Sequence, residues 1–311
     1  MTSERLILAI DQGTTNTKAI LVDGQGRVVS QAWRSMDIEY PRPGWVQQDA
    51  ERIWRAVREC LDECLLAAGS PALAAIGISN QRETGVAWQR TGGRPIGPAV
   101  TWQCRRSAEL CERLRSEGRA SSIQATTGLP VDPMFTAGKL RWLLDSVPDG
   151  RARASAGELC VGTVDSWLLW NLTGGKQHRT DVSNASRTQL MDISAGAWDA
   201  ELMEVFGVPR AALPEILPSS AIFGESVALG ALPAGVPIAA LAGDSHAALF
   251  GHAGFATGSV KATYGTGSSL MMPTPTRLDA GGGLASTIAW AIDSIVYALE
   301  GNINVTGAAV Q

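Results

Sequence analysis

Hydrophobic residues near the start of the chain fall into short continuous runs, and each run ends at polar residues. Residues 6–10 form one such run and stop at Asp11, while residues 74–78 form another and stop at the polar stretch 79–83. Continuous apolar runs of this length are typical of strands buried in a sheet. The pattern therefore predicts a buried sheet with chemically active side chains at the ends of its strands.

A turn-rich segment follows the first of these strands. Residues 12–15 read Gln-Gly-Thr-Thr, and residues 18–22 and 27–33 have strand character on either side of the Asp-Gly-Gln-Gly sequence at 23–26. Two short strands joined by a tight turn are the signature of a hairpin. Small polar residues in such a loop let backbone N–H groups approach a phosphate.

Helical spacing of apolar residues appears next, between Asp49 and Gly69. Asp49 is a favourable N-cap, and Gly69 is a favourable C-terminal stop. Weaker patterns predict further helices near residues 105–117, 136–146, 163–172 and 245–251.

The last part of the chain changes character after the glycine-rich stretch 251–258. We predict a domain boundary there, with a substrate-binding domain over 1–252 and the start of a nucleotide-binding domain over 253–311. Four strand-like pieces follow the boundary, at residues 259–264, 268–272, 284–292 and 295–300. Four strands with little helix would leave an apolar sheet face uncovered, so we expect the second domain to be incomplete.

Composition narrows the class of protein. The 311 residues carry 26 Lys and Arg against 30 Asp and Glu, which gives a net charge of -4 and argues against a nucleic-acid partner. No apolar stretch approaches the roughly 18 residues of a membrane span, and the apolar run at the start is too brief for a signal peptide. Five cysteines without a CxxC pair indicate small core residues rather than a metal site. We therefore predict a cytoplasmic protein.

Polar groups cluster at four predicted strand ends. These are Asp11 with its Gly-Thr-Thr loop, Arg82 and Glu83, Asp244, and the Tyr-Gly-Thr-Gly stretch at 264–267. In α/β proteins ligands bind at the carboxyl ends of strands. Two separate glycine–threonine turns suggest two phosphate-binding loops. No GxxxxGK[ST] motif occurs, and no GxGxxG follows a strand, so P-loop and dinucleotide-binding proteins are disfavoured.

The order of these motifs resembles the FGGY family of carbohydrate kinases, and within it the glycerol kinases. The resemblance covers nearly the whole chain and is carried by the following stretches: 9–15 (AIDQGTT), 80–84 (NQRET), 102–106 (WQCRR), 162–165 (GTVD), 184–188 (NASRT), 243–244 (GD) and 264–267 (YGTG). It implies an α/β protein with the actin-like, ribonuclease-H-like two-domain fold. It also implies an ATP-dependent phosphotransferase that uses Mg²⁺ and phosphorylates a hydroxyl of glycerol or a related small polyol or sugar.

The resemblance also implies roles for individual residues. Asp244 would be the general base that takes the proton of the attacking hydroxyl, and Asp11 would hold Mg²⁺ through water. The implied substrate-binding residues are Arg82, Glu83, Trp102, Met134, Asp244, Ser245 and Ser269. The implied ATP-binding residues are Thr14, Thr15, Asn16 and Lys18 from the first domain, Thr266 and Gly267 from the second, and Gly307 and Gln311 nearer the nucleotide.

Purely structural interpretations of several residues stay open at this point. Trp102 is also compatible with ordinary core, and Arg82 with Glu83 is compatible with a structural ion pair. Arg105 and Arg106 are better explained as a packing or surface pair than as ligands. His246 is better explained as a buried or supporting histidine than as a base.

Three positions depart from the glycerol kinase pattern. Met134 stands where that pattern has tyrosine, Ser245 stands where it has glutamine, and Ser269 stands where it has an aromatic residue. Each change enlarges the substrate site or alters its polarity, so we expect a four- or five-carbon polyol or ketose to be a better substrate than glycerol.

The alternative function is a non-catalytic actin-like ATP-binding or regulatory protein, or an inactive kinase fragment. Asp244 argues against it, because nucleotide binding alone needs no base beside Arg82 and Glu83. The sequence leaves open the exact substrate, the hydroxyl attacked and whether the protein forms a homo-oligomer.

Overall fold

The computed structural model describes residues 5–264, 268–279, 281 and 283–303. The strands in these ranges are β1 (Leu6–Gln12), β2 (Asn16–Val22), β3 (Val28–Ser35), β4 (Gln47–Gln48), β5 (Leu73–Asn80), β6 (Gly85–Gln89), β7 (Ala99–Val100), β8 (Leu159–Thr163), β9 (Arg179–Asp181), β10 (Met191–Asp192), β11 (Ala197–Trp198), β12 (Glu215–Leu217), β13 (Ser220–Glu225), β14 (Pro237–Gly243), β15 (Lys261–Tyr264), β16 (Ser268–Thr274), β17 (Ala285–Ala291) and β18 (Ile295–Ile303). The helices are α1 (Ala50–Ala67), α2 (Ala108–Ser116), α3 (Ala120–Thr127), α4 (Thr136–Asp145), α5 (Gly150–Ser155), α6 (Val164–Leu172), α7 (Val182–Ala185), α8 (Ala200–Phe206) and α9 (Asp244–Gly251), with a short 3₁₀ turn at Arg210–Ala212.

A six-stranded sheet in the order β13-β14-β5-β1-β2-β3 organises the first part of the molecule. The neighbours β14, β5 and β1 run parallel, while the outer pairings are antiparallel. The apolar runs predicted at 6–10 and 74–78 are confirmed as the central strands β1 and β5. The start of β1 is less buried than its sequence suggests, since Ile7 is 47% exposed.

Helix α1 packs on this sheet through the apolar residues that recur at helical spacing. Asp49 caps the helix as predicted, because its side chain accepts a hydrogen bond from the Glu51 backbone N–H. Cys60 and Cys64 lie fully buried on the inner face of the helix. All five cysteines are free and buried, which confirms their interpretation as core residues.

A second, four-stranded sheet (β4-β7-β6-β8) packs against helices α2, α4, α5 and α8 and encloses a separate apolar core. The sequence pattern did not predict β6 or β8. Strand β6 is buried at four of its five positions, and β8 is buried at all five. Each holds only three consecutive apolar residues, at 86–88 and 159–161, which is shorter than the runs that predicted β1 and β5.

The four strand-like pieces after residue 258 are confirmed as an antiparallel sheet in the order β15-β16-β18-β17. Its edge strand β17 is fully buried, because Ile288 and Ala291 pack against Val182 and Ala185 of helix α7. Other parts of the sheet leave large apolar side chains exposed, among them Tyr264 and Leu270. Among the residues described, no helix is both long and apolar enough to cross a bilayer.

Candidate active site

The candidate site lies at the carboxyl ends of three adjacent parallel strands. In the register of the sheet, Asp11 of β1 is opposite Ser79 of β5, and Gly243 of β14 is opposite Asn80 of β5. Asp244 follows directly as the first residue of helix α9. Neighbouring parallel strands therefore bring side chains from residues 11, 80–84 and 244 to one edge, as expected for an α/β sheet.

These strand ends border a cavity of about 270 Å³, slightly below the range of ~300–1,000 Å³ typical of ligand pockets. Strands β15, β16 and β18 form its opposite wall. The lining residues are Thr14, Thr15, Arg82, Glu83, Trp102, Gln103, Met134, Asp244, Ser245, Thr263, Ser268, Ser269, Asn302 and Ile303.

The cavity brings together all the substrate-binding residues implied by the sequence, and also Thr14 and Thr15. Asn16 and Lys18 are outside this lining, at the start of β2, where Lys18 pairs across the sheet with Asp11. Four of the predicted ATP-binding residues lie outside the described residues, and these are Thr266, Gly267, Gly307 and Gln311.

Asp244 lies between a charged partner and the open cavity. Its Oδ1 atom accepts a hydrogen bond from the Ser245 backbone N–H at 2.6 Å and is 3.2 Å from Nε of Arg82. Burial of the carboxyl group raises the pKa of Asp244 above its ordinary value, and the charge of Arg82 opposes that rise. The side chain is still 45% exposed, so it has access to a molecule in the cavity.

Asp11 is half-buried at the end of β1, and its Oδ1 accepts a hydrogen bond from Ser79 Oγ at 3.1 Å. Its negative charge adds to the rise in the pKa of Asp244, which is caused mainly by burial. No cluster of three or more His, Cys, Asp or Glu suited to a metal occurs among the residues described. A single carboxylate fits Mg²⁺ that is also held by water and phosphate oxygens, which is how enzymes commonly bind this ion.

A bend in the connection between β5 and β6 lets the neighbours Arg82 and Glu83 line one cavity. Glu83 has a φ of 60°, in the left-handed region that non-glycine residues rarely adopt. Lys139, fully buried on α4, holds this bend by donating hydrogen bonds from Nζ to the carbonyls of Glu83 (3.0 Å), Phe135 (3.2 Å) and Met134. Arg82 and Glu83 both line the cavity although they are neighbours in the chain.

Arg82 and Glu83 are joined through two residues that the sequence analysis did not single out. Arg82 Nη2 pairs with Glu300 Oε1 at 2.7 Å, and Arg187 Nη2 pairs with Glu300 Oε2 at 2.7 Å. Arg187 Nε in turn pairs with Glu83 Oε1 at 2.7 Å. The two residues are therefore not a simple pair with each other, and they belong to a chain of charges in the order Asp244, Arg82, Glu300, Arg187, Glu83.

Apart from Asp244, this buried ion network has almost no contact with solvent. The side chains of Glu300 and Arg187 are 0% exposed, and that of Arg82 is 8% exposed. Burial alone would raise the pKa of Glu300, but the charges of Arg187 and Arg82 outweigh it and hold that pKa below its ordinary value. The network thus keeps Glu300 ionised in the interior, where an unpaired carboxylate would be costly.

The start of helix α9 is fixed by a second set of buried polar groups. The Gly243 backbone N–H donates to Ser183 Oγ at 3.0 Å, and Ser183 Oγ donates to Asp181 Oδ1 at 3.0 Å. A Cβ at Gly243 would lie 2.6 Å from side-chain carbons of Arg82. Glycine at this position therefore permits the close approach of the β14 end to the Arg82 side chain.

The structure decides several interpretations that the sequence left open. Trp102 is not core, since it lines the cavity and donates from Nε1 to Thr14 Oγ1 at 2.9 Å. Arg106 is confirmed as a packing residue, since its guanidinium lies over the rings of both Trp45 and Trp142.

His246 is buried, as expected, but no hydrogen-bond partner for either ring nitrogen is present among the described residues. Burial, together with the nearby charge of Arg82, lowers its pKa well below the ordinary value. The lowered pKa favours the neutral imidazole at this buried position, which fits a supporting residue better than a base.

Comparison with known proteins defines the class. Residues 6–251 match the model of the FGGY family of carbohydrate kinases, N-terminal domain. The chain is 48% identical over 305 residues to apulose kinase of Pectobacterium atrosepticum, covering 97% of this chain and 62% of that protein. It is also 48% identical over 309 residues to glycerol kinase of Geobacter sp. (strain M21), covering 98% and 62% of the two chains.

The fold agrees with the sequence comparison. A crystal structure of Plasmodium falciparum glycerol kinase with ADP superposes with a TM-score of 0.94 at 32% identity, over 99% of this chain and 63% of that one. The chain belongs to the FGGY family of carbohydrate kinases and has the actin-like, ribonuclease-H-like α/β fold of that family. It spans about 62% of the length of the curated relatives it matches.

Proposed function

We propose that this chain carries the acceptor site of an ATP-dependent carbohydrate kinase that phosphorylates a hydroxyl of glycerol or a related small polyol or sugar. The observation that carries the proposal is the shared cavity. Asp244, Arg82 and Glu83 line it together with Thr14 and Thr15 of the first glycine–threonine loop. A carboxylate beside hydrogen-bonding groups for an alcohol, facing a loop suited to phosphate, is the arrangement that phosphoryl transfer to an alcohol requires.

In the proposed reaction, Arg82 and Glu83 bind hydroxyl groups of the acceptor, and Trp102 covers its C–H face. Asp244 accepts the proton of the attacking hydroxyl as the oxygen forms a bond to the γ-phosphorus of ATP. The bond between that phosphorus and the ADP oxygen breaks, and the electron pair leaves with ADP. The raised pKa of Asp244 makes it a stronger base than an ordinary carboxylate.

Residues on both sides of the site would hold the nucleotide. Thr14, Thr15, Asn16 and Lys18 would contact its phosphates from one side, and Thr266 and Gly267 from the other. Gly307 and Gln311 would be nearer the nucleotide. Asp11 would hold Mg²⁺ through water, and this ion would neutralise charge on the phosphates.

We further propose that a four- or five-carbon polyol or ketose is preferred to glycerol. Met134, Ser245 and Ser269 all line the cavity, and they depart together from the glycerol kinase pattern. The names of the relatives do not choose between these acceptors, since a protein named apulose kinase and one named glycerol kinase are equally similar to this chain.

The test is ADP release measured with a panel of three- to six-carbon polyols and ketoses, using a polypeptide that includes any sequence following residue 311. The proposal expects release that depends on the added alcohol, with glycerol weaker than the larger acceptors. ATP binding without release on any acceptor would instead favour the non-catalytic actin-like alternative. Preference for glycerol over every tetritol and pentitol would overturn the substrate assignment while leaving the kinase assignment intact.

A further inference from the structure

Three polar residues form a row across the wall of the cavity that faces Arg82. Thr263 of β15 lies opposite Ser269 of β16, and Ser269 lies opposite Asn302 of β18. All three line the cavity. We call Thr263, Ser269 and Asn302 the polar row. Since neighbouring strands are about 4.8 Å apart, the row spans roughly 10 Å.

The direction in which the polar row faces is fixed by the residues two positions away on each strand. Lys261, Met271 and Glu300 form the adjacent cross-strand row, and alternation places them on the same face of the sheet. Lys261 Nζ donates to Ser245 Oγ at 3.2 Å, and Glu300 pairs with Arg82. These contacts dock the face against the first part of the molecule. The polar row continues on the same face and lines the cavity, where Thr263 and Asn302 are exposed and Ser269 is half-buried.

The side chains of the polar row are uncharged, and the hydrogen-bond direction is fixed for one of them. Ser269 Oγ donates its hydrogen to Glu300 Oε1 at 2.9 Å, so its oxygen is left to accept a hydrogen bond from a molecule in the cavity. Asn302 and Thr263 can both donate and accept. Exposed neighbours on the same strands, Tyr264 and Leu270, do not line the cavity.

The two walls of the cavity therefore have different capacities. The charged groups that act on the reacting hydroxyl, Arg82, Glu83 and Asp244, are on one wall. The polar row on the other wall offers a series of neutral hydrogen-bonding groups to the rest of the bound molecule. A three-carbon triol engaged by the charged wall has few hydroxyls left for the row, whereas a longer chain has one or two more.

We propose that Thr263, Ser269 and Asn302 form a specificity subsite that binds the acceptor hydroxyl or carbonyl groups remote from the one phosphorylated, and so selects four- and five-carbon polyols or ketoses over triols. This inference rests on the proposed kinase function and assigns two new specificity residues, Thr263 and Asn302. A site built to hydrogen-bond a substrate hydroxyl discriminates strongly against an analogue that lacks it, because its own polar groups are then left unpaired.

The test compares Asn302→Leu and Thr263→Val with the unaltered protein and with the control Tyr264→Phe. The control removes a hydroxyl from the same strand at a side chain that is 82% exposed and outside the cavity lining. The measured quantity is the ratio of kcat/KM for a pentitol or tetritol to kcat/KM for glycerol. We expect this ratio to fall about tenfold in each subsite variant, without a matching rise in KM for ATP, and to stay constant in the control.

Equal loss on all acceptors, or a rise confined to KM for ATP, would overturn the inference and place the row at the nucleotide. Calorimetric binding of the same alcohols, without ATP, separates this result from failure of the proposed function. If no acceptor supports turnover but Asn302→Leu still weakens pentitol binding relative to glycerol, the subsite stands and the kinase assignment fails. If the binding ratio is the same in the variant and in the unaltered protein, the subsite is wrong.

Discussion

The two walls of the cavity differ in how their polar groups are held. On one wall Arg82 and Glu83 are buried and locked by ion pairs to Glu300 and Arg187. On the other wall Thr263, Ser269 and Asn302 are neutral and at least partly exposed to the cavity. A charged side chain in the interior therefore needs a complete set of partners, because an unpaired buried charge is costly. A neutral hydroxyl or amide can be replaced without leaving a buried charge unpaired. Neutral residues are therefore suited to setting substrate specificity.

The largest expected effect comes from removing the buried counter-charge that β18 supplies to the charged wall. Glu300→Gln leaves both arginines without a full counter-charge, and removing one partner from a buried ion pair costs about 3–5 kcal/mol of unfolding free energy. Urea denaturation at neutral pH measures this cost. The control is Glu112→Gln, which removes an ion pair of 2.8 Å to Arg115 with side chains 74% and 41% exposed.

Exposed pairs of that kind contribute little to stability, so the control should change the unfolding free energy by less than about 1 kcal/mol. Equal effects of the two substitutions would mean that the buried ion network does not hold the charged wall. The same measurement on Asn302→Leu should resemble the control, since no charge is left unpaired.

The next largest effect is expected where Gly243 approaches the Arg82 side chain. In Gly243→Ala the new methyl group would lie 2.6 Å from carbons of Arg82 and 2.8 Å from His246 Nδ1, so the arginine must move. Because a hydrogen bond from a charged group contributes about 1.5–3 kcal/mol, KM for the acceptor should rise about tenfold or more. Gly251→Ala, at the other end of α9, meets nothing within 4 Å and should leave KM unchanged. An unchanged KM in Gly243→Ala would show that Arg82 does not bind the acceptor.

A smaller effect concerns the pH dependence of stability and Lys139, which donates a hydrogen bond to the carbonyl of Glu83. Burial lowers the pKa of Lys139 from 10.5 to about 7. Between these two values the unfolded chain keeps a proton that the folded protein has released, so this group makes the protein more stable as pH rises through that window. The melting temperature of Lys139→Met should therefore lack part of the rise that the unaltered protein shows between about pH 7 and about pH 9.

Lys176→Met, at an exposed lysine, is the matched control and should retain the full rise. If Lys139→Met retains it as well, Lys139 stays protonated in the folded protein over this range.

The smallest expected effect concerns the preference between glycerol and a pentitol. Met134→Tyr restores the hydroxyl present in the glycerol kinase pattern at a position that lines the cavity. One neutral hydrogen bond contributes about 0.5–1.5 kcal/mol, so kcat/KM for glycerol relative to a pentitol should rise severalfold. A fall in this ratio would show that the sulfur side chain does not account for the altered preference.

The sequence predicted the strands, helix α1 and the gathering of polar residues at strand ends because these are local patterns. Asp11, Arg82 and Asp244 each follow an apolar run, and parallel pairing then brings them together. Glu300 was not predicted, since its partner Arg82 lies 218 positions away and that pairing depends on how the two sheets dock. A lone acid within the apolar strand 295–300 was the available signal, because an unpaired carboxylate there would be costly.

Arg187 was missed for a different reason. It was visible in the Asn-Ala-Ser-Arg-Thr stretch at 184–188, but its role depends on the bend that turns Glu83 towards it. A positive φ at a glutamate leaves no mark in the sequence. Thr263 and Asn302 were likewise not predicted beside Ser269, since the register across β15, β16 and β18 cannot be deduced from three separate strands.

The proposed role of Asp244 is to accept the proton of an alcohol in the shared cavity. Its most direct test is alcohol-dependent ADP formation by Asp244→Asn, measured beside ATP binding by calorimetry and beside the control Asp165→Asn. Asp165 is a fully buried carboxyl whose pKa is also raised by burial, to about 6, but it hydrogen-bonds Thr163 and Thr180 outside the cavity. We predict that Asp244→Asn lowers kcat by a factor of about 10²–10⁴ with ATP binding intact, and that the control retains turnover. Turnover by Asp244→Asn within a few-fold of the unaltered protein would contradict the account.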